Sequence, residues 1–161
     1  MTNPVIILTP KQMLLGAQVG IMRQVENVEK KRKERHGAST KNDWQMHIEG
    51  CLGEMAAAKW LDMFWDGKLG DLSSGDVGKV EVRTTSEKKN RLRLHPSDKD
   101  HLQFIHVVGL NGVYELMGWL YARDGKIEPY WQDPTRGSRP AFFVDNNHLE
   151  PMSTFWDSWN E

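Results

Sequence analysis

The segment DVGKVEVRTT, residues 76 to 85, brings two carboxylates and a guanidinium into one short strand-like run. With residues 79 to 85 as a strand, a period of two sends Lys79, Glu81, Arg83 and Thr85 to one face. Val80, Val82 and Thr84 then take the other. An acid able to hold a hard cation and a cation able to hold a phosphate would project side by side. Asp76 lies just upstream, and Gly78 between them allows a turn or bulge that swings its carboxylate onto the Glu81 face. Such a grouping suits metal-assisted chemistry on a phosphate.

Those side chains need a scaffold, and the run IEGCLGEMAAAKWLDMFW supplies a helix with Gly50, Gly53 and Ala57 along one side and Glu54 next to them. Small residues at that spacing let a helix backbone approach a sheet closely. Glu54 would be carried into the interface, where a carboxylate without a partner is costly. A helical Glu, then an Asp, a short gap and Glu-x-Lys on a strand is the pattern of the PD-(D/E)XK nuclease superfamily, also called restriction-endonuclease-like. The chain resembles this superfamily over residues 44 to 120, and its small phage-type members most of all.

The resemblance implies that Glu54 is the helical acid, Asp76 the hairpin acid and Glu81 the strand acid. Arg83 stands where the family usually has Lys. Arginine does not lose its proton at neutral pH, so it cannot be a general base, but it can clamp a phosphate oxygen bidentately. No proline precedes Asp76, where Gly75 stands, and Asp71 is a rival for the hairpin position. The implied cofactor is Mg²⁺ or Mn²⁺, held by Asp76, Glu81 and the Val82 carbonyl, with Glu54 binding directly, through water or at a second ion. The implied activity is phosphodiester hydrolysis, in DNA before RNA.

Charge is distributed to match. The net charge is −1, yet residues 23 to 41 carry Arg23, Lys30, Lys31, Arg32, Lys33, Arg35 and Lys41. A second cluster, Lys79, Arg83, Lys88, Lys89, Arg91 and Arg93, surrounds the candidate strand, while acids concentrate between Asp43 and Asp76. An acidic pocket flanked by basic segments suits a nuclease, because metals need carboxylates and the phosphate backbone needs Lys and Arg. Lys30, Lys31, Arg32, Lys33, Lys79, Lys88, Lys89 and Arg91 are the expected nucleic-acid contacts. The KKRKER run taken alone also fits a solvated helix end.

The 161 residues suffice for one domain with an ordinary core. A helix and basic loop over 1–43, a core over 44–122 and an irregular segment over 123–161 are expected. Cys51 is the only cysteine, which excludes an intrachain disulfide and a Cys-rich zinc cluster. The histidines show no HExxH or paired spacing for zinc. No signal-peptide pattern opens the chain and no apolar run is long enough to span a bilayer, so no membrane partner is expected and the location expected is cytoplasmic, the host's if phage-encoded.

Thr9 and Pro10 mark a helix start, and Leu14, Ile21, Val25 and Val28 recur on one face through about residue 33. A second helix is expected from about 43 to 62, with Trp44, Ile48, Cys51, Met55 and Ala58 in line. Strands are expected at about 77 to 85, 91 to 95, 103 to 109, 113 to 122 and 141 to 144, with Asn111–Gly112 as a tight hairpin turn. A further short strand is expected at 68 to 72. Two N-terminal helices followed by a mixed, mostly antiparallel sheet give α/β or α+β organisation, with the resemblance implying a restriction-endonuclease-like core. A protein of a different class fits the same residues: a noncatalytic nucleic-acid-binding or assembly protein that keeps this fold, with Arg83 marking lost chemistry. A small interaction module docking through its aromatic C-terminus is a third.

Overall fold

The computed structural model describes residues 2–30, 42–69, 75–133 and 140–159. Helix α1 runs over Pro10–Glu29 and opens on a capping box: Gln12 N–H donates to Thr9 Oγ1, and the Gln12 side chain accepts from Thr9 N–H. Its buried positions are Gly16, Gly20 and Gln24. A Cβ at Gly20 would lie 2.7 Å from Ile48 N and 2.8 Å from His47 O, so glycine is what lets α1 meet helix α2, Asp43–Leu61, backbone to backbone. The expected apolar face is therefore wrong. Leu14, Ile21, Val25 and Val28 are 41–62% exposed, because the tight helix contact selects small side chains and turns the large ones outward.

Helix α2 is buried continuously from Cys51 to Ala58. Of the expected line, Cys51, Met55 and Ala58 are core and Ile48 is half-buried, whereas Trp44 is 48% exposed. The helix lies on a four-stranded mixed sheet of order β1-β5-β4-β2. Its strands are β1 (Val5–Ile7), β2 (Val80–Thr85), β4 (Gln103–Leu110) and β5 (Val113–Tyr121). β1–β5 and β5–β4 are antiparallel; β4–β2 is parallel, with Glu81 opposite Phe104 and Arg83 opposite His106. Asn111 at φ 55° and Gly112 at φ 87° form the expected hairpin turn.

A second, antiparallel sheet of order β3-β7-β6 joins Leu92–Leu94, Ala141–Val144 and Trp131–Gln132. The organisation is α+β. β1 and β6 escape sequence detection because each is too short to show a period. No strand forms at Lys68 and Leu69, and residues 70–72 of that expectation lie outside the described residues. At the C-terminus Met152 and Phe155 join the core, while Trp156, 44% exposed, stacks on Trp60 with centroids 5.9 Å apart. Among the described residues no helix is long and apolar enough to cross a membrane.

Candidate functional site

The site is built on β2. Val80 and Val82 are buried under α2, and Glu81, Arg83 and Thr85 face the opposite side as their alternation requires. A Cβ at Gly53 would fall 1.9 Å from Thr84 Oγ1, so this glycine lets α2 sit directly on the strand. Gly50 has open space around it and plays no such part.

Ahead of β2 the chain makes a tight turn. Val77 and Val80 exchange backbone hydrogen bonds of 3.0 and 2.9 Å, with Gly78 between them at φ 59°. A Cβ at Gly75 would lie 2.7 Å from Val80 O, which explains glycine rather than proline before Asp76. The turn returns Asp76 to the edge of β2 away from β4, where Val82 N–H donates to Asp76 Oδ2 at 2.8 Å. In a strand the N–H and C=O of one residue point to the same edge, so the Val82 carbonyl faces this side too. Glu81 lies beside Asp76, and its carboxyl is pushed up to about 7 by burial, then by the neighbouring Asp76 charge, against the pull of Arg83.

Arg83 is held from both sides. Its Nη1 lies 3.5 Å from Glu81 Oε2, its Nη2 donates to Asp98 Oδ1 at 3.1 Å, and its guanidinium sits 4.8 Å from the centre of the buried Phe104 ring. Asp98 is also fixed, accepting His95 N–H at 2.7 Å. This acid was missed in the sequence, where His-Pro-Ser-Asp looks like any turn and an aspartate there like any turn cap.

Glu54 is carried into the interior as expected, but with a partner. Arg23 of α1 donates to both its oxygens, at 2.6 and 2.9 Å, and Trp65 Nε1 donates to Oε2 at 3.1 Å. Burial pushes the Glu54 carboxyl up and the Arg23 hydrogen bonds pull it back. The same carboxylate raises Arg23 despite the guanidinium's own burial. Glu54 thus stands behind the Asp76–Glu81 pair as half of a bidentate ion pair, and Arg23 is tied to it rather than offered to a ligand. Among the described residues no three His, Cys, Asp or Glu side chains gather as a metal-holding group. Cys51, fully buried beside this pair, has its thiol pushed up to about 12 by burial and Glu54, which makes it a core residue.

The exposed face of β2 opens into a cleft of about 1810 Å³. Asp76, Glu81 and Asp98 line it together with Lys79, Arg83, Lys89, Arg91, Arg93, Lys99 and Arg123, so a small acidic group sits among more numerous cations. Of the expected nucleic-acid contacts, Lys79, Lys89 and Arg91 line the cleft. Lys88 instead pairs with Glu115 at 2.5 Å, and Lys30 lies at the end of α1 near Glu26, 3.8 Å away. Lys31, Arg32, Lys33 and the rival acid Asp71 lie outside the described residues. His47 lines the cleft with one ring nitrogen 2.9 Å from Asn27 Nδ2. Comparison with protein-family models, with curated proteins and with solved structures found no match.

Proposed function

We propose that the chain is a metal-dependent nuclease of the PD-(D/E)XK type, hydrolysing phosphodiester bonds in nucleic acid, DNA in the first instance. The observation that carries the proposal is the Asp76–Glu81 pair: two neighbouring carboxylates beside a fixed guanidinium, in a cleft lined mainly by cations. Two neighbouring carboxylates disfavour each other's charged form unless a cation intervenes. Their oxygens, with the Val82 carbonyl on the same edge, fit Mg²⁺ or Mn²⁺, which need only one or two protein carboxylates and keep several waters.

Held there by Asp76 and Glu81, such an ion would supply charge neutralisation at the phosphate and would acidify a water at neutral pH. Asp76 and Glu81 hold it, and the Val82 N–H bond fixes the orientation of Asp76. Arg83 cannot move a proton; it holds a nonbridging phosphate oxygen, and Asp98 with the Phe104 ring keeps it in place. Arg23 and Trp65 hold Glu54 in place on α2, where the Asp76 charge reaches it. The surrounding lysines and arginines hold the polymer.

A noncatalytic nucleic-acid-binding protein on the same scaffold is the second reading, favoured by one observation: Glu54 is already consumed by Arg23, leaving two carboxylates for a metal. Nicking of supercoiled plasmid with Mg²⁺ or Mn²⁺, beside Glu81→Gln and Asp76→Asn, separates the two. Metal-dependent nicking lost in both variants supports the nuclease. Wild-type protein that binds DNA and never nicks it would leave the binding protein.

A further inference from the structure

Four cation–π contacts occur among the described residues, and all of them lie in this cleft. Arg83 sits over Phe104 at 4.8 Å, Arg91 and Arg93 over Phe143 at 5.0 and 5.2 Å, and Arg123 over Tyr121 at 4.3 Å. Every one of these side chains lines the cleft. Significant contacts of this kind arise about once in 70–80 residues of ordinary protein. Scattered packing would therefore put about two along this chain, not four around one opening.

The rings come from separate elements: Phe104 from β4, Tyr121 from the end of β5, and Phe143 from β7 of the second sheet. Phe104 is fully buried and can only support Arg83 from below. Tyr121 and Phe143 are half-buried, and they meet the cleft with their arginines. Both stations are held in place, since Tyr121 Oη donates to Ser158 O at 3.2 Å and Arg91 Nη2 donates to Gln132 Oε1 at 2.9 Å. A planar, weakly hydrated guanidinium seated on an aromatic ring offers a π surface and a charge together. Bases stack on such surfaces only where their own faces are free, which means single strands, loops and ends rather than the interior of a duplex. The cleft volume, about 1810 Å³, also exceeds the roughly 300–1,000 Å³ of small-molecule sites and suits a polymer segment.

We infer that the cleft takes single-stranded nucleic acid, with Phe143–Arg91–Arg93 and Tyr121–Arg123 as two base-stacking stations flanking the carboxylates. This rests on the nucleic-acid reading above and narrows its substrate. Recognition is by base faces and phosphate charge, without sequence reading.

The test is binding in EDTA, in a Glu81→Gln background, by fluorescence anisotropy at one fixed salt concentration. The probes are a short oligothymidylate, an abasic strand of the same length, and a duplex of that length. Oligothymidylate should bind about tenfold or more tighter than the abasic strand, which carries the same phosphates, and tighter than the duplex. Phe143→Leu, which keeps an apolar group on β7, and Arg123→Lys, which keeps the charge of a side chain 56% exposed and removes its planar guanidinium, should each cost about fivefold or more for oligothymidylate and less than twofold for the abasic strand. Equal affinity for oligothymidylate and the abasic strand overturns the inference, as does tighter duplex binding or an unchanged preference in both variants. Its fate is separable from that of the nuclease. Base-dependent single-strand binding by wild-type protein that never cleaves with Mg²⁺ or Mn²⁺ keeps the stacking stations and removes the nuclease; metal-dependent cutting of duplex alone does the reverse.

Discussion

Replacing Glu81 by Gln in metal-free buffer should stabilise the protein, and by an amount that grows with pH. The Glu81 carboxyl, ordinarily near 4.5, is pushed up to about 7 by burial and by Asp76. Between those values the folded state holds a proton that the unfolded chain has lost, so stability falls as pH rises through this window and stays low above it. The full displacement corresponds to about 3 kcal/mol at pH 8, an upper bound. The side chain is still 19% exposed, and solvent screening reduces the expected difference to about 1–2 kcal/mol. Gln keeps the shape, can donate to Asp76, and has no charge to repel it. In a domain of this size, thermal denaturation in EDTA should show a Tm gain for Glu81→Gln of about 2–8 °C at pH 8 and little gain at pH 5. With Mg²⁺ in excess the ordering should invert, because only the wild type gains binding energy from the ion. Equal Tm gains at both pH values, or a destabilised variant at pH 8, would refute the idea that two carboxylates are forced together here.

Arg83→Ala should lower plasmid nicking by about two to three orders of magnitude while hardly changing Mn²⁺ affinity by calorimetry, and Arg83→Lys should retain substantial activity. Activity gained by Arg83→Lys over an inert wild type would instead mark arginine as the lesion. Glu54→Gln leaves the charge of the half-buried Arg23, 21% exposed, unmatched, so urea denaturation should show a loss of about 2 kcal/mol, below the cost of breaking a fully buried pair, and the folded fraction should lose less metal affinity than Glu81→Gln. Reversing Lys30, Lys31, Arg32 and Lys33 to Glu should weaken DNA binding and flatten its salt dependence; unchanged binding would make the run a solvated helix end.

The local elements were largely legible. Thr9–Pro10 and Asn111–Gly112 act through the backbone of their immediate neighbours, and both do in the fold what they do in isolation. The alternation along β2 was equally readable, because a strand's period of two needs no partner to define it, and Glu81 and Arg83 share a face accordingly. Helix α1 shows where this stops. Its large apolar residues recur at helical spacing, yet Gly16 and Gly20 make the contact with α2, since depth of approach depends on the facing backbone rather than on hydrophobicity.

By itself the sequence determined that two acids and an arginine would lie on or beside one short strand, under a helix whose glycine could approach it. Every one of those relations is spaced within a few residues or set by one element's geometry. Only the tertiary structure decided which charges are available. Arg23 reaches Glu54 from another helix, Asp98 reaches Arg83 from a distant turn, and Phe143 on β7 meets Arg93 and Arg91 across the strand pairing with β3, about fifty residues away in the chain. Pairing across such separations is chosen by how helices and sheets pack, so no spacing along the chain could announce it.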